Sequence, residues 1–173
     1  MGQGVSKPEG GALDVSCGFI EVMGDDYPRI LVDRDVVVMR NNQPEQTRLR
    51  GWLDGYDGPV PTYRIELVIR AGNYTCPYTA TGSDMFMALV RLRRQLEPDG
   101  LMVAVQGSRR DTYPSGMARD MGGGMQVYIL RRGQPGRPED LVKTLEDAPP
   151  DQMATVDDQR AFFEAWLAEP KKQ

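Results

Sequence analysis

The feature that most constrains this chain is a strict alternation over residues 62–70. Tyr63, Ile65, Leu67 and Ile69 fall on one face, and Arg64, Glu66, Val68 and Arg70 on the other. A period of two belongs to a strand with one buried face. Gly72-Asn73 follows as a two-residue hairpin turn, and residues 74–81 read as the returning strand. Pro77 offers no N–H to a neighbour, so this return strand is expected at a sheet edge or interrupted there.

Other segments build outward from this hairpin. Residues 15–23 hold Phe19, Ile20 and Val22 and read as a strand, followed by the turn cluster Gly24-Asp25-Asp26-Tyr27-Pro28. Residues 29–40 are dense in β-branched side chains and read as strand, with a bend, bulge or split expected at Asp33-Arg34-Asp35. Residues 41–61 read as mostly irregular, with Trp52, Leu53 and Tyr56 packing that stretch over the core. A helix is expected from a Ser83 cap, because Met85, Phe86, Leu89, Val90, Leu92 and Leu96 recur at helical spacing. Arg91, Arg93 and Arg94 read as its solvated side, with a partner-binding surface as the alternative. Glu97-Pro98-Asp99-Gly100 ends it.

Two short apolar runs, 101–106 and 125–130, read as strands. Pro138 opens an expected short helix with Leu141, Val142 and Leu145 as its stripe. Thr155-x-x-Asp158 resembles a capping box, opening a helix over 156–168 that buries Phe162, Phe163, Trp166 and Leu167. The order predicts an α+β domain: a mostly antiparallel sheet of about six strands with helices packed on one face. The expected organisation is a flexible lead-in over 1–12, one domain over 13–168 and a charged tail over 169–173.

Composition narrows the chemistry. The chain has 173 residues, no histidine and two cysteines, Cys17 and Cys76. Without histidine there is no Ser-His-Asp or Cys-His pair, and two distant cysteines make neither a zinc site nor a disulfide framework. No metal and no cofactor is expected, and the reading is of a non-enzyme. Lys+Arg number 21 against 25 Asp+Glu, a net charge of −4. That disfavours nucleic acid and suits a soluble protein or one with a basic partner. No apolar run reaches the roughly 18–20 residues of a membrane span. Residues 1–13 are polar and Gly-rich, without the apolar core of a secretory signal, so the cytoplasm is the expected compartment.

The candidate site is the stretch 108–124, SRRDTYPSGMARDMGGG. Arg109, Arg110 and Arg119 suit fork-like pairing with carboxylate or phosphate, and Gly122, Gly123 and Gly124 allow close approach of a ligand to backbone N–H groups. Asp111 or Asp120 would serve as a base if chemistry occurs there. The competing reading is structural. In it Arg109, Asp111, Arg119 and Asp120 pair among themselves, Tyr113-Pro114-Ser115-Gly116 forms a turn, and Met117 and Met121 anchor the segment in the core.

The pattern Leu89-x-x-Leu92-Arg93-x-x-Leu96-Glu97-Pro98, then Asp111-x-Tyr113-Pro114-Ser115-Gly116-Met117-x-Arg119-x-Met121-Gly122-x-Gly124, then Glu139-Asp140-Leu141-Val142 and Gln159-Arg160-x-Phe162-Phe163-x-x-Trp166-Leu167 resembles a family of small uncharacterised bacterial proteins. Such proteins look like immunity proteins that sit beside secreted polymorphic toxins. The resemblance covers residues 62–168 and carries no catalytic residues. It implies a cytoplasmic binding protein that neutralises a cognate toxin by contact, with Trp52, Tyr56 or Tyr113 as aromatic anchors. The alternative is an anion-binding protein or enzyme using the Arg/Gly stretch.

Overall fold

The structure is a computed structural model that describes residues 27–171. The strand expected at 15–23, with Cys17, lies outside the described residues, as do the lead-in 1–12 and turn residues 24–26. The chain is an α+β protein, and its described residues form eight strands in two antiparallel sheets. The larger sheet has the order β4-β3-β2-β1-β5: β1 (Arg29–Arg40), β2 (Gln43–Asp57), β3 (Val60–Ala71), β4 (Tyr74–Gly82) and β5 (Leu101–Val103). The smaller has the order β6-β7-β8: β6 (Thr112–Tyr113), β7 (Gln126–Ile129) and β8 (Leu141–Lys143).

The first four strands form a meander joined by two-residue turns. The alternating hairpin stands as expected, with Ala71 opposite Tyr74 across Gly72-Asn73, and Pro77 lies on the edge strand β4. The irregular stretch expected at 41–61 is instead a long hairpin of β2 and β3. Asn41 and Asn42 both hold positive φ, +48° and +65°, the left-handed pair of a type I′ turn, which asparagine tolerates better than most residues. Gly58-Pro59 makes the next turn, with Gly58 at φ +58°. The pattern of β2 is hard to read because its inward positions alternate Leu49, Gly51 and Leu53. Gly51 has no side chain for a reason: a Cβ there would meet Met85 Cε at 2.9 Å. The bulge in β1 falls at Leu31, between Ile30 and Val32, while Asp33 and Asp35 stay in register with Arg50 and Arg48.

One face of the large sheet carries ion pairs. Arg48 reaches Asp33 at 2.7 Å and Asp35 at 3.2 Å, and Arg50 lies between Asp33 and Glu66. The Arg48 guanidinium beside Asp33 holds that carboxyl below the usual carboxylate range. The other face is the core, where Val36, Val38, Leu49, Ile65, Leu67 and Ile69 meet α1 (Met85–Leu96). Asp84, not Ser83, caps this helix: its carboxylate accepts from Met87 N at 2.7 Å. An ionised carboxylate suits the positive end of a helix.

The arginine expectation is half corrected. Arg91 and Arg94 are exposed, but Arg93 is 3% exposed. It sits four residues after Leu89, on the buried stripe. Its guanidinium donates to Gln159 Oε1 at 2.6 Å, Ala154 O at 2.6 Å and Gly107 O at 3.3 Å. Burial lowers its pKa to about 10, a pull opposed by Glu97 at 3.8 Å.

Later elements differ in length and type. The strand expected at 101–106 stops at Val103 and gives way to a 3-10 turn. The short helix expected after Pro138 is one 3-10 turn followed by strand β8. The last helix, α3 (Val156–Ala168), has the expected bounds, and Thr155 Oγ1 accepts from Asp158 N at 3.1 Å. It buries Val156 and Gln159, while Phe162, Phe163 and Trp166 are half-buried and Leu167 is exposed. No helix among the described residues is long and apolar enough to cross a membrane.

Replacing Arg93 by Met keeps most of the volume but leaves two buried acceptors, Gln159 Oε1 and Ala154 O, without their donor. Such a loss is expected to cost about 2–4 kcal/mol in urea unfolding. Arg94→Met, which breaks only the exposed pair with Asp157, is expected to cost less than about 1 kcal/mol.

Candidate functional site

The stretch 108–124 is not a loop between neighbouring strands. It contains β6 and a short helix, α2 (Gly116–Asp120), and it links the two sheets. Ser115 caps α2, accepting from Ala118 N at 3.1 Å, so Tyr113-Pro114-Ser115-Gly116 is the entry to a helix rather than a reverse turn.

The segment is strapped at both ends, at its start to α3 and at its end to the entrance of α1. At its start, Gln159 Nε2 donates to the carbonyls of Gly107, Arg109 and Thr112 at 2.7–2.9 Å. At its end, Arg119 Nε donates to Asp84 Oδ2 at 2.9 Å, and Met85 N donates to Gly123 O at 2.8 Å. The glycines permit this approach. Gly124 holds φ +66°, and a Cβ on it would meet Asp84 Oδ1 at 2.6 Å; on Gly123, at φ +57°, a Cβ would collide with the Tyr63 hydroxyl. Burial raises the pKa of that hydroxyl, with Tyr56 and Asp84 adding to the effect.

The arginines do not converge. Arg109 grips both oxygens of Asp111, at 2.9 and 2.7 Å, and also reaches Gln106. Arg110 is exposed, its guanidinium 5.5 Å from the centre of the Phe162 ring. Arg119 pairs with Asp84, not with Asp120, which is exposed. At the end of the glycine run the N–H groups are taken by the chain itself: Gly124 N donates to Ala118 O, and Met125 N to Gly122 O. An anion nest needs such N–H groups free and pointing together. Here the glycines serve close packing against the start of α1.

The methionines are the larger surprise. Met117 is 72% exposed and Met121 83%, so neither anchors the segment in the core. A five-residue helix capped from outside presents them to solvent. Beside them lies an aromatic groove of about 420 Å³, walled by Tyr113, Ser115, Tyr128, Leu130, Phe163 and Trp166. Tyr113 stacks on Phe163, with ring centres 3.8 Å apart, and takes the edge of Phe86 at 5.1 Å. Trp166 Nε1 donates to the carbonyls of Arg131 and Gln134, which holds its ring in place. Across Tyr128 a second hollow of about 290 Å³ runs to Met117, Met121 and Leu141.

Of the expected aromatic anchors, Tyr113 is on this groove. Trp52 is elsewhere and buried, with the Arg64 guanidinium 4.1 Å above its ring and held there by both oxygens of Asp54. Tyr56 is exposed near the β2–β3 turn, with its ring edge-on to Tyr27. Sequence reasoning missed Tyr128, Phe163 and Trp166 as groove walls. The spacing of Phe163 and Trp166, three apart on α3, was visible but reads equally well as a core stripe. Neither a protein-family model nor a curated protein sequence matches this chain.

Gly124→Ala is expected to lower the melting temperature, because left-handed strain of about 1–2 kcal/mol adds to the collision with Asp84. Gly116→Ala, where a Cβ meets nothing within 4 Å, is expected to be neutral or slightly stabilising. Inorganic phosphate is expected to leave the melting temperature unchanged, since mass action shifts it only for a ligand that the folded state binds.

Proposed function

We propose that this chain is a non-enzymatic binding protein that acts in the cytoplasm, an immunity protein that neutralises a cognate bacterial toxin by protein–protein contact. The contact face is the surface formed by α2, the aromatic groove and the end of α3. The observation that carries this reading is the pair Met117 and Met121, both largely exposed beside stacked aromatic rings. A folded domain gains nothing from placing two methionines in water, and such patches mark contact surfaces. Methionine adapts its shape to a partner, while ordered aromatic rings supply anchoring area at low entropic cost. Leu167 extends the same patch.

The net charge of −4 supports a basic partner, because complementary charge speeds encounter. The engaged state of Arg109 and Arg119 argues against a small anion as the ligand, since binding it would first require breaking a carboxylate pair.

The test is co-expression with the toxin encoded beside this chain. The wild-type chain is expected to co-purify with that toxin and to protect the host cell. The double substitution Met117→Asp with Met121→Asp is expected to weaken binding at least about tenfold, a scale set by the loss of contact anchors. Both residues are exposed, so its melting temperature is expected to stay within a few degrees of wild type. Equal binding by the double variant, or no protection by wild type, would sink the proposal.

A further inference from the structure

Two methionines stand apart from the others among the described residues. Met117 is 72% exposed and Met121 83%. Met85 is fully buried, with its Cε packed against Gly51. Met39, Met87, Met102, Met125 and Met153 are each partly covered. The exposed pair sits one helical turn apart, because Met121 N donates to Met117 O at 2.9 Å. Residues four apart share one side of a helix. Both also line the same hollow, beside Tyr128 and Leu141.

The bonds that fix α2 use neither sulfur. Ser115 caps its start through Ala118 N, and Gly124 N closes on Ala118 O. Arg119 is held by Asp84, and Gly123 O accepts from Met85 N. A chemical change at the two thioethers therefore leaves the position of α2 intact. A thioether in water meets dissolved oxidants, and a buried one is shielded from them. Oxidation turns a flexible apolar side chain into a polar sulfoxide.

We propose that Met117 and Met121 form a paired oxidation site that switches the contact face, with hydrogen peroxide as the oxidant. The inference rests on the contact reading given above and adds its regulation. In each step a lone pair of the thioether sulfur attacks one peroxide oxygen. The S–O bond forms as the O–O bond breaks, and the departing hydroxide takes the remaining proton and leaves as water. The sulfur loses two electrons and the peroxide gains them. The product carries a polar oxygen where an adaptable apolar group had been, and a partner's apolar surface would have to desolvate it. Oxidation at both positions therefore loosens the partner while the domain stays folded. Methionine sulfoxide reductases reverse the change, one enzyme for each sulfoxide epimer.

The test uses the purified full chain, treated with dilute hydrogen peroxide and freed of it before the neighbouring toxin is added. Peptide mass mapping is expected to show Met117 and Met121 gaining oxygen at least about tenfold faster than Met85. The oxidised chain is expected to bind the toxin at least about tenfold more weakly, with its melting temperature close to that of untreated protein. Treatment with both sulfoxide reductases is expected to restore binding. The double substitution Met117→Leu with Met121→Leu keeps an apolar surface but has no sulfur to oxidise there. It is expected to bind equally well before and after peroxide. If the untreated chain does not bind the toxin, the contact reading fails and takes this inference with it. If the untreated chain binds and the doubly oxidised chain binds as tightly, this inference alone fails. Loss of binding by the leucine variant after peroxide, or oxidation of Met85 as fast as the exposed pair, also overturns it.

Discussion

The fold turns on a cation in its core. Arg93 lies on the buried face of α1, where a bare guanidinium would be very costly to desolvate. It is tolerated because Gln159, Ala154 and Gly107 bring acceptors to it from two distant parts of the chain, the start of α3 and the turn after β5. Burial lowers its pKa to about 10, so it remains charged at neutral pH. A buried ion of this kind contributes more to register than to raw stability. Gln159 accepts from Arg93 and turns its amide donor to the carbonyls of Gly107, Arg109 and Thr112. One arginine therefore sets where α3 docks and where the segment after β5 begins.

The same helix governs the far end of that segment. Asp84 has one oxygen on the helix's own Met87 N–H and the other on Arg119. Gly123 and Gly124 pass close enough to touch the helix entrance. A chain tied at both ends of α1 cannot bury its middle as well. The short helix α2 stands away from the core, and its methionines face water as a consequence of the two anchors. Tyr113, held beside Gln159's contacts, stacks on Phe163 and forms the groove wall. The proposed contact face is in this sense a by-product of how α1 is capped and neutralised.

Much of the local architecture was legible from period and turn chemistry. The alternating hairpin, the bounds of α3, the Gly100 stop after α1 and the edge position of Pro77 all follow from interactions within a few residues. The failures share a cause. β2 was unreadable because Gly51 is small for the sake of Met85, a residue 34 positions away. Arg93 reads as surface because it is charged, although its place four residues after Leu89 puts it on the buried stripe. Met117 and Met121 read as core because apolar side chains usually are, and their exposure depends on ties made at other points of the chain.

By itself, then, the sequence determined the α+β class, the β3–β4 hairpin and its turn, the bounds and cap of α3 and the location of a distinctive segment. These are set by backbone sterics, side-chain period and hydrogen bonds between near neighbours. Tertiary structure alone decided that the arginines of that segment are engaged, that its glycines serve packing against α1, and that its methionines and aromatic rings form an open surface. Those outcomes depend on which distant groups meet, and a partner such as Asp84 for Arg119, or Gln159 for Arg93, is chosen by the packing of whole elements rather than by any local pattern.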